Sequence, residues 1–263
     1  MKHYFPHKIS SLLLALLILL NVSCEKQPTK KSEIEKVRNS VISFTLRFKD
    51  GKKVETVNFG TGFFINEKYV ATAWHVSRDL IKERTELGEK YVEIVIQKSS
   101  IADNSEFTVP VNFIIEDKEN DLAIFGFESE DIKKQWKDFE IRLLPLSNRL
   151  PDIGEEIVST GFFSTYIQPF SSVGTVAMIS ENEVKGGDVT LNQAIFSDLT
   201  TLSGHSGGPV YSFQTQNVVG VNNRILNPNN DKVRTAISTN SLHLTKLLNE
   251  AIELESKSQN TSL

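Results

Sequence analysis

The chain carries a single cysteine, Cys24, in 263 residues, so no disulfide can form within it. Charge of one sign is also missing: 29 Lys and Arg against 33 Asp and Glu leave a net charge of −4, and no basic footprint suited to nucleic acid appears. Nucleic acid is therefore not an expected partner. The most extended apolar stretch, residues 9–20, is shorter than the about 20 residues that a helix needs to cross a bilayer core of about 30 Å. The five histidines are scattered and the one thiol lies near the N-terminus, so no metal site is expected. Nothing calls for a cofactor. No internal repeat recurs at a fixed period.

What stands at the N-terminus is informative. Lys2 and Lys8 precede the apolar stretch, which ends in Val22-Ser23-Cys24, the layout of an export signal. An exported chain without a cysteine pair is coherent if its thiol has another use. The segment resembles a bacterial lipoprotein signal, although Asn21 stands where an aliphatic residue is usual. The resemblance implies that residues 1–23 are removed and that Cys24 is lipidated. The mature protein would then be held on a membrane of the bacterial cell envelope, each buried methylene contributing about 0.8 kcal/mol. A simple cleaved signal or an uncleaved anchor is the plainer alternative. Residues 25–39, EKQPTKKSEIEKVRN, are charged with few large apolar side chains, the composition of a solvated tether.

Beyond residue 40, short apolar or alternating runs recur between turn signals. They fall at 41–48, 63–65, 70–73, 91–97, 109–115, 122–127, 157–160, 173–179, 189–196, 209–213, 218–221 and 234–238. Many short strands separated by Gly, Asn and Asp predict an all-β sandwich or barrel. Helical patterns are few. One covers 242–254, with Leu244, Leu247, Leu248 and Ala251 on one face. A shorter one follows His75, and a third falls at 130–137. A turn signal at 150–154 divides the strands into two halves with a cleft between them.

The stretch SGHSGGPV, residues 203–210, presents a serine nucleophile that two unrelated folds could carry. An α/β-hydrolase elbow needs Ser, then an acid, then His, and Asp231 and His243 follow Ser206 in that order. The separations are only 25 and 12 residues, against about 30 for one βαβ unit. A strand-like run also follows Gly207-Gly208-Pro209 where the elbow requires a helix, and no alternation of strand and helix precedes the serine.

Upstream, the opposite order is available. GTGFFI (60–65), VATAWHV (70–76), NDLAIF (120–125), DIGEEIVSTGF (152–162), VGTVAMIS (173–180), SGHSGGPV and VVGVNN (218–223) follow one another. In order and spacing they resemble the trypsin-like serine proteases of the chymotrypsin fold, most closely the HtrA-like bacterial branch. The resemblance spans about residues 40–250. It implies two six-stranded antiparallel β-barrels, at about 40–145 and 146–240, with the active site in the cleft between them. A C-terminal helix at 241–255 and a polar tail at 256–263 would follow. No room for the PDZ domain of many HtrA-like enzymes is expected beyond that helix.

The chemistry asks for the same residues. A serine hydroxyl needs a base within hydrogen-bond reach. His75 can take its proton and return it to a leaving amine. Asp121, directly before an apolar strand, would fix the imidazole tautomer. Asp117 and Asp103 are alternatives to it without such a strand at hand. By resemblance, the amides of Gly204 and Ser206 form the oxyanion hole, on a turn that needs a residue at positive φ. Digestive-type relatives place an Asp before the nucleophile to pair with a newly cut N-terminus. His205 stands there instead, so activation by an inserted N-terminus is not expected.

Counting back along the family pattern places Thr200 at the base of the specificity pocket, with Thr201 and Leu202 on its wall. With no acid there, a small or apolar residue before the cut is expected rather than Lys or Arg. The strand Gly220-Val221-Asn222 would pair with an extended polypeptide substrate. The expected activity is a serine endopeptidase working through an acyl-enzyme. A protease-fold binding protein without activity is the main rival. An esterase is a weaker one, for no apolar lid or acyl groove is evident.

Overall fold

The computed structural model describes residues 28–48, 58–90, 92–99, 106–128, 139–163, 168–186, 189–226 and 235–261. The expected export signal, Cys24, Asp103, Asp231 and the helix expected at 130–137 lie outside them.

The first half is one antiparallel sheet. Its strands are β1 (Val41–Phe48), β2 (Gly60–Phe64), β3 (Tyr69–Thr72), β4 (Val92–Ser99), β5 (Glu106–Pro110), β6 (Asn112–Asp117) and β7 (Leu122–Gly126). They run in the order β5-β4-β1-β2-β3-β7-β6. The two edge strands are consecutive in the chain and only Val111 separates them; its amide bonds to the Ile94 carbonyl at 3.0 Å. Seven strands thus stand where six were expected, because the single run read at 109–115 breaks at Val111. One part of it pairs with β4 and the other with β7.

The second half contains β8 (Glu156–Phe162), β9 (Pro169–Ile179), β12 (Ile195–Ser197), β13 (Pro209–Ser212), β14 (Val218–Leu226) and β15 (Thr235–Asn240). These close into a six-stranded barrel in the order β12-β15-β14-β13-β8-β9. A hairpin of β10 (Val184–Gly186) and β11 (Val189–Leu191) lies between β9 and β12 in the chain and packs Leu191 against Phe196 and Ile237. The run read as one strand at 189–196 divides there, with Gln193 at φ 50° in the connection.

Each half has its own apolar interior, the first around Phe44, Phe64, Ile96 and Phe125, the second around Ile157, Ile195, Val210 and Val219. A third cluster joins them. Phe63, Tyr69 and Leu122 from the sheet meet Val158, Phe162, Tyr211 and Val221 from the barrel. Helix α3 (Ser241–Thr261) presses Leu244, Leu247 and Ala251 into this seam, with Leu248 packed against it. The helix runs through what read as a polar tail from residue 256. Glu253 pairs with Lys257 four residues on, and these last turns prolong a helix that packing has already nucleated.

The expected tether is the main departure. From Lys30 to Ser40 it forms helix α1, begun by Thr29, whose hydroxyl accepts the Ser32 amide at 3.2 Å. Few apolar residues suffice because they sit three apart: Val37 is fully buried and Ile34 packs into the seam. Polar contacts do the rest. The Tyr211 hydroxyl donates to the buried Glu33 carboxylate and accepts from Lys36 at 3.1 Å, Arg38 donates to the Pro169 carbonyl at 2.6 Å, and Lys98 caps the last turn on the Arg38 carbonyl at 3.2 Å. Helix α2 (Trp74–Leu87) starts immediately after β3, earlier than expected, and carries His75 itself. Val76 and Leu80 anchor it on the sheet.

Candidate active site

His75 lies in the first turn of α2, where backbone amides have no partner inside the helix. Asp121 uses this. Its Oδ1 accepts the His75 amide at 2.9 Å, and its two oxygens lie 3.1 and 2.9 Å from His75 Nδ1. The carboxylate is almost wholly buried, with a side-chain exposure of 1%, whereas the imidazole is 28% exposed. The Nδ1 edge of the ring is held by the carboxylate, and the imidazole as a whole stays partly exposed. Asp121 occupies the left-handed region at φ 53°, at the end of the β6–β7 turn. That turn is organised by Asp117, which accepts the Asn120 amide at 3.0 Å and its side chain at 2.8 Å. Asp117 is thus a turn residue and does not serve the histidine.

Ser206 sits between β12 and β13 on the expected glycine turn. Gly204 has φ 97° and Gly207 φ 85°. A side chain on Gly207 would lie 2.2 Å from both the Thr61 carbonyl and Thr72 Oγ1, so this glycine is required for conformation and for space alike. The Ser206 turn and the helix of His75 converge on Gly60. A Cβ there would meet the side chain of Val76 at 2.5 Å and the Ser206 carbonyl at 3.1 Å.

The three expected triad residues are not all bonded. Ser206 Oγ donates to the Asn223 carbonyl at 3.2 Å, and no hydrogen bond among the described residues joins it to His75. Nor does any among the described residues occupy the amides of Gly204 and Ser206, whereas Gly207 and Gly208 give theirs to the carbonyls of Asn222 and His205. Two donors at the turn are thus open.

His205 is fully buried, its ring 5.5 Å from that of Phe170. Neither ring nitrogen has a hydrogen-bond partner among the described residues. Burial pushes its pKa down from 6.5 to about 4, which keeps the imidazole neutral near pH 7.

The expected substrate-binding residues separate. Thr201 is buried; Thr200 is exposed, with its amide on Ser172 Oγ of β9 at 2.8 Å. Leu202 gives its carbonyl to the His205 amide. Gly220 and Val221 pair on both sides, with β13 and β15, and Asn222 is bonded through both backbone groups to Gly207 and Gly208. These three residues present no free edge to an added strand. The carbonyl facing Ser206 Oγ belongs to Asn223, at the register break between β14 and β15. An Asn within a run of strand residues carries no signal for this, since the break arises from pairing with a strand farther along the chain. His243 lies far from an elbow role, with its Nε2 donating to the Asn192 carbonyl at 3.2 Å.

A buried glycine turn bearing a serine, beside an oriented His-Asp pair and between a β-sheet and a β-barrel, defines the class of trypsin-like peptidases. The family model for the trypsin-like peptidase domain matches residues 60–221, and the chain belongs to this family. No curated protein sequence matches it significantly. Among solved structures, Deg5 is 18% identical with a TM-score of 0.57, over 84% of this chain and 95% of that one. The HtrA-type protease AlgW is 15% identical with a TM-score of 0.62, over 86% and 68%. The Rv3671c protease of M. tuberculosis in its active form is 16% identical with a TM-score of 0.57, over 82% of each chain; an inactive form of it is also similar. At these identities the likeness is one of fold.

Proposed function

We propose that the protein is a serine endopeptidase that cleaves polypeptides through an acyl-enzyme. The observation that carries this reading is the Asp121 carboxylate locked on His75 Nδ1 at 2.9 Å. It leaves Nε2 as the proton acceptor. In the reaction Ser206 Oγ attacks the scissile carbonyl while His75 takes its proton; the open amides of Gly204 and Ser206 receive the developing oxyanion. His75 then protonates the leaving amine, and water repeats the sequence on the acyl-serine. The substrate takes an extended course along the Asn223 carbonyl, with a small or apolar residue before the cut. Export and a lipid anchor at Cys24 complete the reading and rest on residues 1–24 alone.

A latent resting state is the second reading, favoured by the bond from Ser206 Oγ to Asn223. A single neutral hydrogen bond contributes about 1 kcal/mol net, so a substrate amide that takes over the Asn223 carbonyl would free the hydroxyl for His75. The test is a fluorophosphonate probe on the domain lacking residues 1–24. Labelling that Ser206→Ala abolishes supports the enzyme. A cooperatively folded domain that stays unlabelled from pH 6 to 9, with or without added peptides, refutes it in favour of a binding protein.

A further inference from the structure

Thr61, in the GTGFFI stretch of β2, is fully buried and makes four hydrogen bonds, two of them to the turn that carries Ser206. Its amide donates to the Ser206 carbonyl at 2.8 Å, and its hydroxyl donates to the Gly204 carbonyl at 2.7 Å. The same hydroxyl accepts the Phe162 amide of β8 at 2.8 Å. Its carbonyl accepts Thr72 Oγ1 of β3 at 2.7 Å, three residues before His75. One residue of the sheet therefore touches both ends of the Gly204-His205-Ser206 segment, the barrel strand beside it, and the strand that delivers the histidine.

Resting on the serine-protease reading above, we propose that Thr61 is a positioning residue that holds the oxyanion turn open and in register with His75. Gly204 is the freest point of that turn, a glycine at φ 97° with no side chain to resist rotation. The Thr61 hydroxyl fixes the Gly204 carbonyl, and the Thr61 amide fixes the carbonyl of Ser206. Between these two anchors His205 has no side-chain hydrogen bond of its own among the described residues. Without the hydroxyl, the half-buried Gly204 carbonyl loses its donor and the buried Phe162 amide its acceptor. Both gain by reorganising toward other partners, and the donors at Gly204 and Ser206 turn away from the site of the developing charge. Thr61 touches neither substrate nor the reacting atoms; it acts through the turn.

The experiment compares wild type, Thr61→Val and Thr61→Ser by fluorophosphonate inactivation kinetics, resolved into the maximal rate and the half-saturating concentration. Valine keeps the shape without the hydroxyl; serine keeps the hydroxyl without the methyl. Outright loss of an oxyanion donor costs about 10²–10³ in rate, so a turn that has lost this anchor is expected to react at least about 30-fold more slowly. Half-saturation should move by less than about threefold, and Thr61→Ser should recover the wild-type rate to within about threefold. Thr61→Ala, which makes no steric demand, takes the place of valine if that variant does not melt cooperatively. A hydroxyl-free variant that reacts at the wild-type rate overturns the proposal. So does a Thr61→Ser variant as slow as valine, which would assign the effect to packing by the methyl group. If wild type itself is unlabelled, the serine-protease reading fails first and separately.

Discussion

His205 makes the stability of this domain depend on pH in a way that one substitution removes. Its ring is fully buried without a hydrogen-bond partner among the described residues, and its pKa falls from 6.5 to about 4. As pH drops from about 6.5 to 4, the unfolded chain takes up a proton that the folded chain refuses. Stability is therefore complete above the unfolded value and falls by about 1.4 kcal/mol per pH unit across that window. The total is about 3 kcal/mol, a large part of the 5–15 kcal/mol typical of a domain. Carboxylates titrate below pH 5 as well, so the measurement is a difference. Urea unfolding of wild type and His205→Leu, a neutral residue of similar volume, is followed at intervals from pH 4 to 7.5. From pH 7 to pH 4 wild type should lose about 3 kcal/mol more than the variant does. Parallel curves would refute the buried, uncharged state of this imidazole.

Two further perturbations test the frame around the site. Gly207→Ala forces a side chain into the left-handed region and within 2.2 Å of the Thr61 carbonyl and Thr72 Oγ1; a loss of about 3 kcal/mol is expected by thermal or urea unfolding, and unchanged stability would contradict the tight seating of the turn on β2 and β3. Tyr211→Phe removes the hydroxyl that donates to the buried Glu33 carboxylate, at a cost of about 1–3 kcal/mol. Amide exchange within α1 should accelerate while exchange in the β14–β15 pair is unaffected, and unaltered exchange in α1 would show that this contact does not hold the helix.

The candidate active-site residues lay in the open because their signals are local. A glycine turn around Ser206, a histidine at the end of the strand read at 70–73 and an aspartate just before the strand read at 122–127 each have a meaning within a few neighbours. The short separations of Asp231 and His243 from Ser206 and the strand-like run after its glycines excluded the α/β-hydrolase reading. The amphipathic face of α3 was legible for the same reason. Helix α1 was not, since two apolar residues, Ile34 and Val37, amid a charged segment give no periodic signal. Its burial depends on Tyr211, 178 residues away from Glu33.

By itself the sequence determined the all-β class, the chain order of His75, Asp121 and Ser206, and the glycine turn, because strand period, turn chemistry and residue type are properties of short segments. Only the tertiary structure decided that the Asn223 carbonyl rather than one of Gly220 or Val221 faces Ser206 Oγ, that Thr61 bonds the carbonyls of both Gly204 and Ser206, and that α1 joins the domain. The first depends on the register at which β14 and β15 pair, and a break of one residue changes which backbone group points at the site. A buried carbonyl or carboxylate must also find its donor wherever the fold brings one, and that donor can lie more than a hundred residues away, as Thr61 does from Gly204.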